Sequence, residues 1–140
     1  MKLQPISLHL LSPYMMGIWS YYMDHPEEEL PSDLSVFDED AANVRAKAIA
    51  NREFDDLRLV LDTVLAHDDD WLDEHFGMEL SEILRVEPVQ TDTVLHAILR
   101  RYREKMWPGA GPIPPEGPPG VELVDIGVEE WRRQRAASRS

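Results

Sequence analysis

The sequence predicts a mainly α fold: a small single-domain helical bundle with a proline-rich extended strap and a short C-terminal helix. Three observations predict it. Apolar side chains recur at spacings of three and four through the middle of the chain, the mark of a helix with one buried stripe. No run alternates well enough to make a sheet, although Val121 to Ile126 suits a lone strand. The 140 residues, 43 % hydrophobic and 29 % charged, allow one hydrophobic core and exclude disorder throughout.

Ser12-Pro13 reads as an N-cap followed by proline at the first helical position, opening a helix to about Met23 that ends before Pro26. Tyr14, Met15, Met16, Ile18, Trp19, Tyr21, Tyr22 and Met23 make that helix apolar all round, which suits burial on several sides or an interface. A long second helix starts with Asp38 or Asp40 as its cap and continues to about Ala66. Its stripe is Ala50, Phe54, Leu57, Leu61, Val64 and Leu65, with Asp55, Asp56, Arg58 and Asp62 largely off it. At 1.5 Å per residue it would span about 40 Å. Asp68-Asp69-Asp70 then starts a short helix that Gly77 ends, and Glu79 to Val86 forms another turn or two.

Thr91 caps the next helix, which runs to about Met106 with the stripe Val94, Leu95, Ile98, Leu99 and Tyr102. Arg100, Arg101, Arg103 and Lys105 near its end suit the negative pole of the helix dipole. The segment 107–120, WPGAGPIPPEGPPG, has six prolines and four glycines in fourteen residues, so it is extended and partly polyproline II. It either links to a separate tail or wraps the helices; Val121, Leu123, Val124 and Ile126 after it favour wrapping. A last helix covers Val128 to Ala137, and both chain ends are expected to fray. The domain reading is an acidic helical domain at 1–106, a strap packing on it at 107–126, and a short basic helix and tail at 127–140.

Charge narrows the function. Twenty-seven acids against 14 bases give −13, which disfavours binding to nucleic acid or to an anionic bilayer. The excess is local: residues 24–92 carry 21 acids and 5 bases, −16, whereas 1–23 carry +1 and 93–140 carry +2. Like charges held that close repel one another, a cost that a basic partner would offset. The absence of cysteine excludes disulfides and thiolate chemistry. The apolar stretch 3–19 is broken by Pro5, His9, Pro13 and Gly17, so it reads as mature structure and not as a signal peptide, and the expected compartment is the cytoplasm.

Catalytic patterns are missing. His67, Asp68, Asp69, Asp70, Asp73, Glu74 and His75 form the densest cluster of potential ligands, but no Glu-x-x-His, His-Glu-x-x-His or calcium-loop spacing occurs. No serine sits in Gly-x-Ser-x-Gly, and there is no phosphate loop or dinucleotide fingerprint. The expectation is a non-enzyme with no metal, cofactor or small-molecule substrate.

Two segments carry a resemblance: IWSYYMDHPEEELP at 18–31 and FDDLRLVLDTVLAHDDDWLDEHFG at 54–77, together 38 of the 140 residues. With an aromatic helix, an acidic loop and an apolar helix ending in acids, the chain resembles a bacterial toxin-immunity protein of the contact-dependent growth-inhibition or polymorphic-toxin type. The resemblance implies a small cytoplasmic protein whose partner is a cognate toxin domain, in many cases a nuclease with a basic groove. It would block that domain's active site or substrate groove. Trp19, Tyr21, Tyr22 and Trp71 are the aromatic anchors expected for such an interface. Glu27, Glu28, Glu29, Asp68, Asp69, Asp70, Asp73 and Glu74 are the steering charges. The alternative is an adaptor or regulatory subunit that binds through an apolar helical groove.

Overall fold

The computed structural model describes residues 3–25, 33–86 and 92–139 (backbone only at 69, 92, 93 and 139). The described chain is mainly helical. Glu27, Glu28, Glu29 and the expected cap Thr91 lie outside the described residues, as does the side chain of Asp69.

Residues Gln4–Ser7 form strand β1, and Val121–Val124 form β2. The two pair in parallel, Gln4 with Val121 and Ile6 with Leu123. A parallel pair needs a long crossover, and here nearly the whole helical body supplies it. The frayed start and lone strand expected from sequence are therefore one clasp. Its driving force is burial: Ile6, Leu8, Leu10 and Leu11 are wholly removed from solvent. Polar contacts fix it in place. Ser7 Oγ donates to Ile126 O at 2.6 Å, and Trp131 Nε1 donates to Pro5 O at 3.0 Å. The C-terminal third thus closes the same core that the N-terminus opens.

A 3₁₀ turn at Leu8–Leu10 follows, capped by Ser7 Oγ accepting from His9 N, and then helices α1 (Leu11–Tyr14) and α2 (Met16–Asp24). Ser12 is not the cap that Ser12-Pro13 suggested. The buried leucines start the helical turns earlier, and Met15 interrupts them. The interruption brings α2 close to its neighbours at Gly17. A Cβ there would overlap the Asp40 carboxylate and crowd the Tyr102 hydroxyl, so any larger residue forces those side chains to shift.

The long second helix expected over 38–66 is two helices, α3 (Asp38–Ala50) and α4 (Phe54–Ala66). Asn51 to Glu53 break them, with Arg52 in the left-handed region at φ 58°. The break shifts the phase of the buried face. Ala41, Val44 and Ala48 point inward on α3 while Ala50 is exposed; Leu57, Val60, Leu61 and Val64 are buried on α4. Asp56 and Asp62, expected off the stripe, are buried beside arginines.

Helix α5 (Asp69–Phe76) has Asp68 as its cap and ends at Gly77, left-handed at φ 65°. Helix α6 (Leu80–Leu84) opens on a Glu79–Glu82 capping box. Helix α7 (Asp92–Met106) buries Leu95, Ile98, Leu99 and Tyr102 against α3 and α4. The proline-rich segment lies along the core. Trp107 stacks on Phe54 at 4.8 Å, Ala110 and Ile113 rest on buried residues, and Arg103 Nη1 holds Gly111 O at 2.8 Å. Helix α8 (Val128–Arg139) docks through Trp131.

Candidate functional surface

The acids divide into two groups. Four of those at 38–62, Asp38, Glu53, Asp56 and Asp62, meet arginines from the C-terminal third, whereas Glu39 and Asp55 are exposed. Glu53, in the break between α3 and α4, accepts from Arg132 Nε and Nη2 at 2.8 Å each and from the Tyr14 hydroxyl at 2.5 Å. Asn51 Nδ2 donates to that hydroxyl at 3.0 Å, and Arg135 pairs with Asp56 at 2.7 Å. Arg103 pairs with Asp62 at 2.6 Å, and Arg101 forks across Asp38 at 2.8 and 2.6 Å. Three of the four cations assigned to the dipole of α7, Arg101, Arg103 and Lys105, therefore stand against acids of α3 and α4.

These pairs set their own titration. Burial pushes the Glu53 carboxyl up, but the bonds from Arg132 and Tyr14 outweigh it and hold the group below the usual carboxylate range. The Arg101 fork lowers Asp38 in the same sense. Burial pushes the Tyr102 hydroxyl far above its usual range, and its 2.6 Å bond to Asp40 adds to this. Tyr14 is raised for the same reasons, burial first and Glu53 second.

The acids of 68–82 are different. Asp68, Asp70, Asp73, Glu74, Glu79 and Glu82 are exposed, and none forms an ion pair among the described residues. Asp68 Oδ1 caps α5 through Trp71 N at 3.0 Å, and Leu72 inserts into the core to hold the helix down. Along its edge His67, Trp71 and His75, four residues apart, form a continuous stack with ring centroids 4.1 and 4.4 Å apart. Nδ1 of His75 is 2.8 Å from Trp71 O, which fixes its ring. The result is a half-buried indole between two imidazoles, set in a field of unpaired carboxylates.

The expected site residues distribute as follows. Asp68, Asp70, Trp71, Asp73 and Glu74 come together on α5 and its cap. Trp19 is exposed on a separate helix, α2. Tyr21 is half-buried, stacked on His25 at 4.3 Å and tilted on Phe37. Tyr22 is a correction: at 4 % exposure it is a core residue and offers no anchor at the surface. Its helix is apolar all round, so the sequence carries no phase to show which rings turn inward.

A cleft of about 740 Å³ was not legible in the sequence. It lies between the first helical turns, α6 and the start of α8, and His9, Ser12, Met16, Glu82, Arg85 and Glu129 are among the residues around it. His9 Nε2 meets Asp125 Oδ1 at 2.6 Å beside it, a pair 116 residues apart. Among the described residues no hydrogen bond joins Ser12 to His9. No group of three histidines or carboxylates among the described residues is placed to hold a metal ion. No described helix is long and apolar enough to cross a membrane. No protein-family model, curated protein or solved structure matches the chain.

Proposed function

We propose that this chain is a non-enzymatic inhibitor of the immunity type, acting in the cytoplasm. It binds a cognate toxin domain with a basic surface and covers that domain's active site or substrate groove with α5 and α6. One observation carries the reading. Acids at 38, 53, 56 and 62 each have an arginine in the chain, whereas six exposed carboxylates between Asp68 and Glu82 have no cation among the described residues. Trp71 stands among them as a rigid aromatic contact. Such a surface repels phosphate and attracts the cations that bind phosphate, so it competes with a nucleic-acid substrate.

The test is association with the C-terminal domain of the protein encoded immediately upstream. Asp70→Lys, Asp73→Lys and Glu74→Lys together should slow association roughly tenfold or more at low salt. The difference should close at about 0.3 M salt, where screening shortens the field to roughly 6 Å. An on-rate unchanged by the three reversals removes the electrostatic reading.

A second reading has support from α2, where Met16, Trp19 and Met23 are exposed by 47, 37 and 62 %. An adaptor held by that apolar contact alone would bind with almost no salt dependence. The slope of affinity against salt separates the two.

A further inference from the structure

Helix α8 is held to the body differently from α4 and α7. On those helices an apolar row lies in the core, Leu57, Val60, Leu61 and Val64 on α4 and Leu95, Ile98, Leu99 and Tyr102 on α7. On α8, among the described side chains, Trp131 alone is buried. Its other ties to the body are polar. Trp131 Nε1 donates to Pro5 O, Arg132 forks across Glu53, and Arg135 reaches both Asp56 and Arg52 O. Further bonds of α8 lie within it. Arg132 also pairs with Glu129, Arg133 pairs with Glu130, and Arg135 stands over the Trp131 ring at 5.4 Å. These contacts travel with the helix. The chain just before α8 is fixed, because β2 pairs with β1 and Ser7 Oγ donates to Ile126 O. Gly127 comes next, with nothing within 4 Å of where a Cβ would stand. The tie at Ile126 thus ends at a glycine with open space around it.

We propose that α8 is a latch that opens as a unit, pivoting at Gly127, while the helical body stays folded. Segments with few buried apolar contacts open locally at a lower free energy than the core they rest on, and α8 has one such contact where α4 and α7 have four each. The closed latch is the resting state, held by Trp131 and by the arginines on Glu53 and Asp56. Opening takes those arginines away and exposes both carboxylates to water, so two paired acids become available ones. On the inhibitor reading above, this adds Glu53 and Asp56 to the charges that a basic partner can meet. The opening itself does not depend on that reading.

The test is native-state hydrogen exchange of the full chain, followed residue by residue by NMR. Amides of α8 beyond its first turn should exchange at one common rate, about a hundredfold or more faster than the slowest amides of α4 and α7. Two variants then separate latch from body. Ile98→Val weakens the core alone, so the slowest amides of α4 and α7 should speed up about fivefold while those of α8 keep their rate. Arg132→Ala with Arg135→Ala weakens closure and should speed α8 at least about tenfold. Exchange of α8 as slow as that of α4 and α7 overturns the proposal, as does an α8 that follows them in Ile98→Val. A rate that only climbs residue by residue towards the C-terminus is fraying and overturns it too. So does α8 exchange unmoved by loss of both arginines. The measurement on the native chain needs no variant to fold. The α5 charge reversals report on the inhibitor reading separately, so either idea can fail alone.

Discussion

Asp38, Glu53, Asp56 and Asp62 each reach an arginine from beyond residue 100, whereas Asp70, Asp73 and Glu74 reach no cation among the described residues. Both groups belong to the same −16 stretch of sequence. In the first, the carboxylates tie distant parts of the chain together: Arg132 joins α8 to the α3–α4 break, and Arg103 joins α7 to α4 and to the strap. In the second, the carboxylates face water and leave the helix to be held by Leu72 and its cap. Net charge therefore overstates what is available to a partner. Only the acids that the fold leaves unpaired can meet one.

The largest test of this contrast is Arg132→Ala. It leaves the nearly wholly buried Glu53 without its forked partner, and breaking a buried pair of this kind costs about 3 kcal/mol. The deficit, measured by urea unfolding, should depend on pH in a defined sense. In the native chain Glu53 is depressed, so its contribution is present above the ordinary glutamate range and is lost as pH falls through its lower folded value. In the variant the Arg132 bonds that lower it are gone, so the depression shrinks. The gap between the two proteins should be widest at neutral pH and narrow towards about pH 4. At the other end, unfolded tyrosines ionise near pH 10 while Tyr14 and Tyr102 keep their protons, so native stability should fall above that point. A pH-independent deficit for Arg132→Ala would show that its role is packing alone.

Gly17→Ala comes next, at about 2 kcal/mol of lost stability. It acts where α2 touches the hydrogen bond from the Tyr102 hydroxyl to Asp40. Asp40→Ala in the same background should recover part of the loss, because the clash is with that carboxylate. No recovery would place the strain elsewhere in α2.

What the sequence conveyed follows the range of the interactions involved. Helix α5 was legible at both ends because its signals are local: Asp68 accepts from three residues on, and Gly77 supplies the left-handed stop. The stripe of α7 was legible for the same reason. The break at 51–53 was not, because no glycine or proline marks it. Arg52 takes the left-handed backbone there, and Glu53 meets an arginine 79 residues away. Strand β1 was equally hidden, being four residues long with a partner beyond residue 120. Among the site residues, those of α5 were placed by local charge and capping. On α2 the same composition gave an exposed Trp19 and a buried Tyr22, a distinction made only by the packing of Ile18 and Tyr22 into the core.

The smallest expected effect sharpens the contrast most. Asp73→Asn with Glu74→Gln removes two exposed carboxylates from the later part of α5, away from the capped end where acids favour the helix dipole. Neither side chain has an ion pair to lose among the described residues. What changes is mutual repulsion with Asp70 and the neighbouring acids. The double variant should therefore match or exceed the native stability by a few tenths of a kcal/mol at low salt. Screening should erase the gain at about 0.3 M salt, whereas the Arg132→Ala deficit, set in a largely buried site, should persist. A loss of about 1 kcal/mol or more on neutralising Asp73 and Glu74 would mean that these carboxylates hold the fold as their counterparts at 53 and 62 do. The division between structural and available acids would then fail.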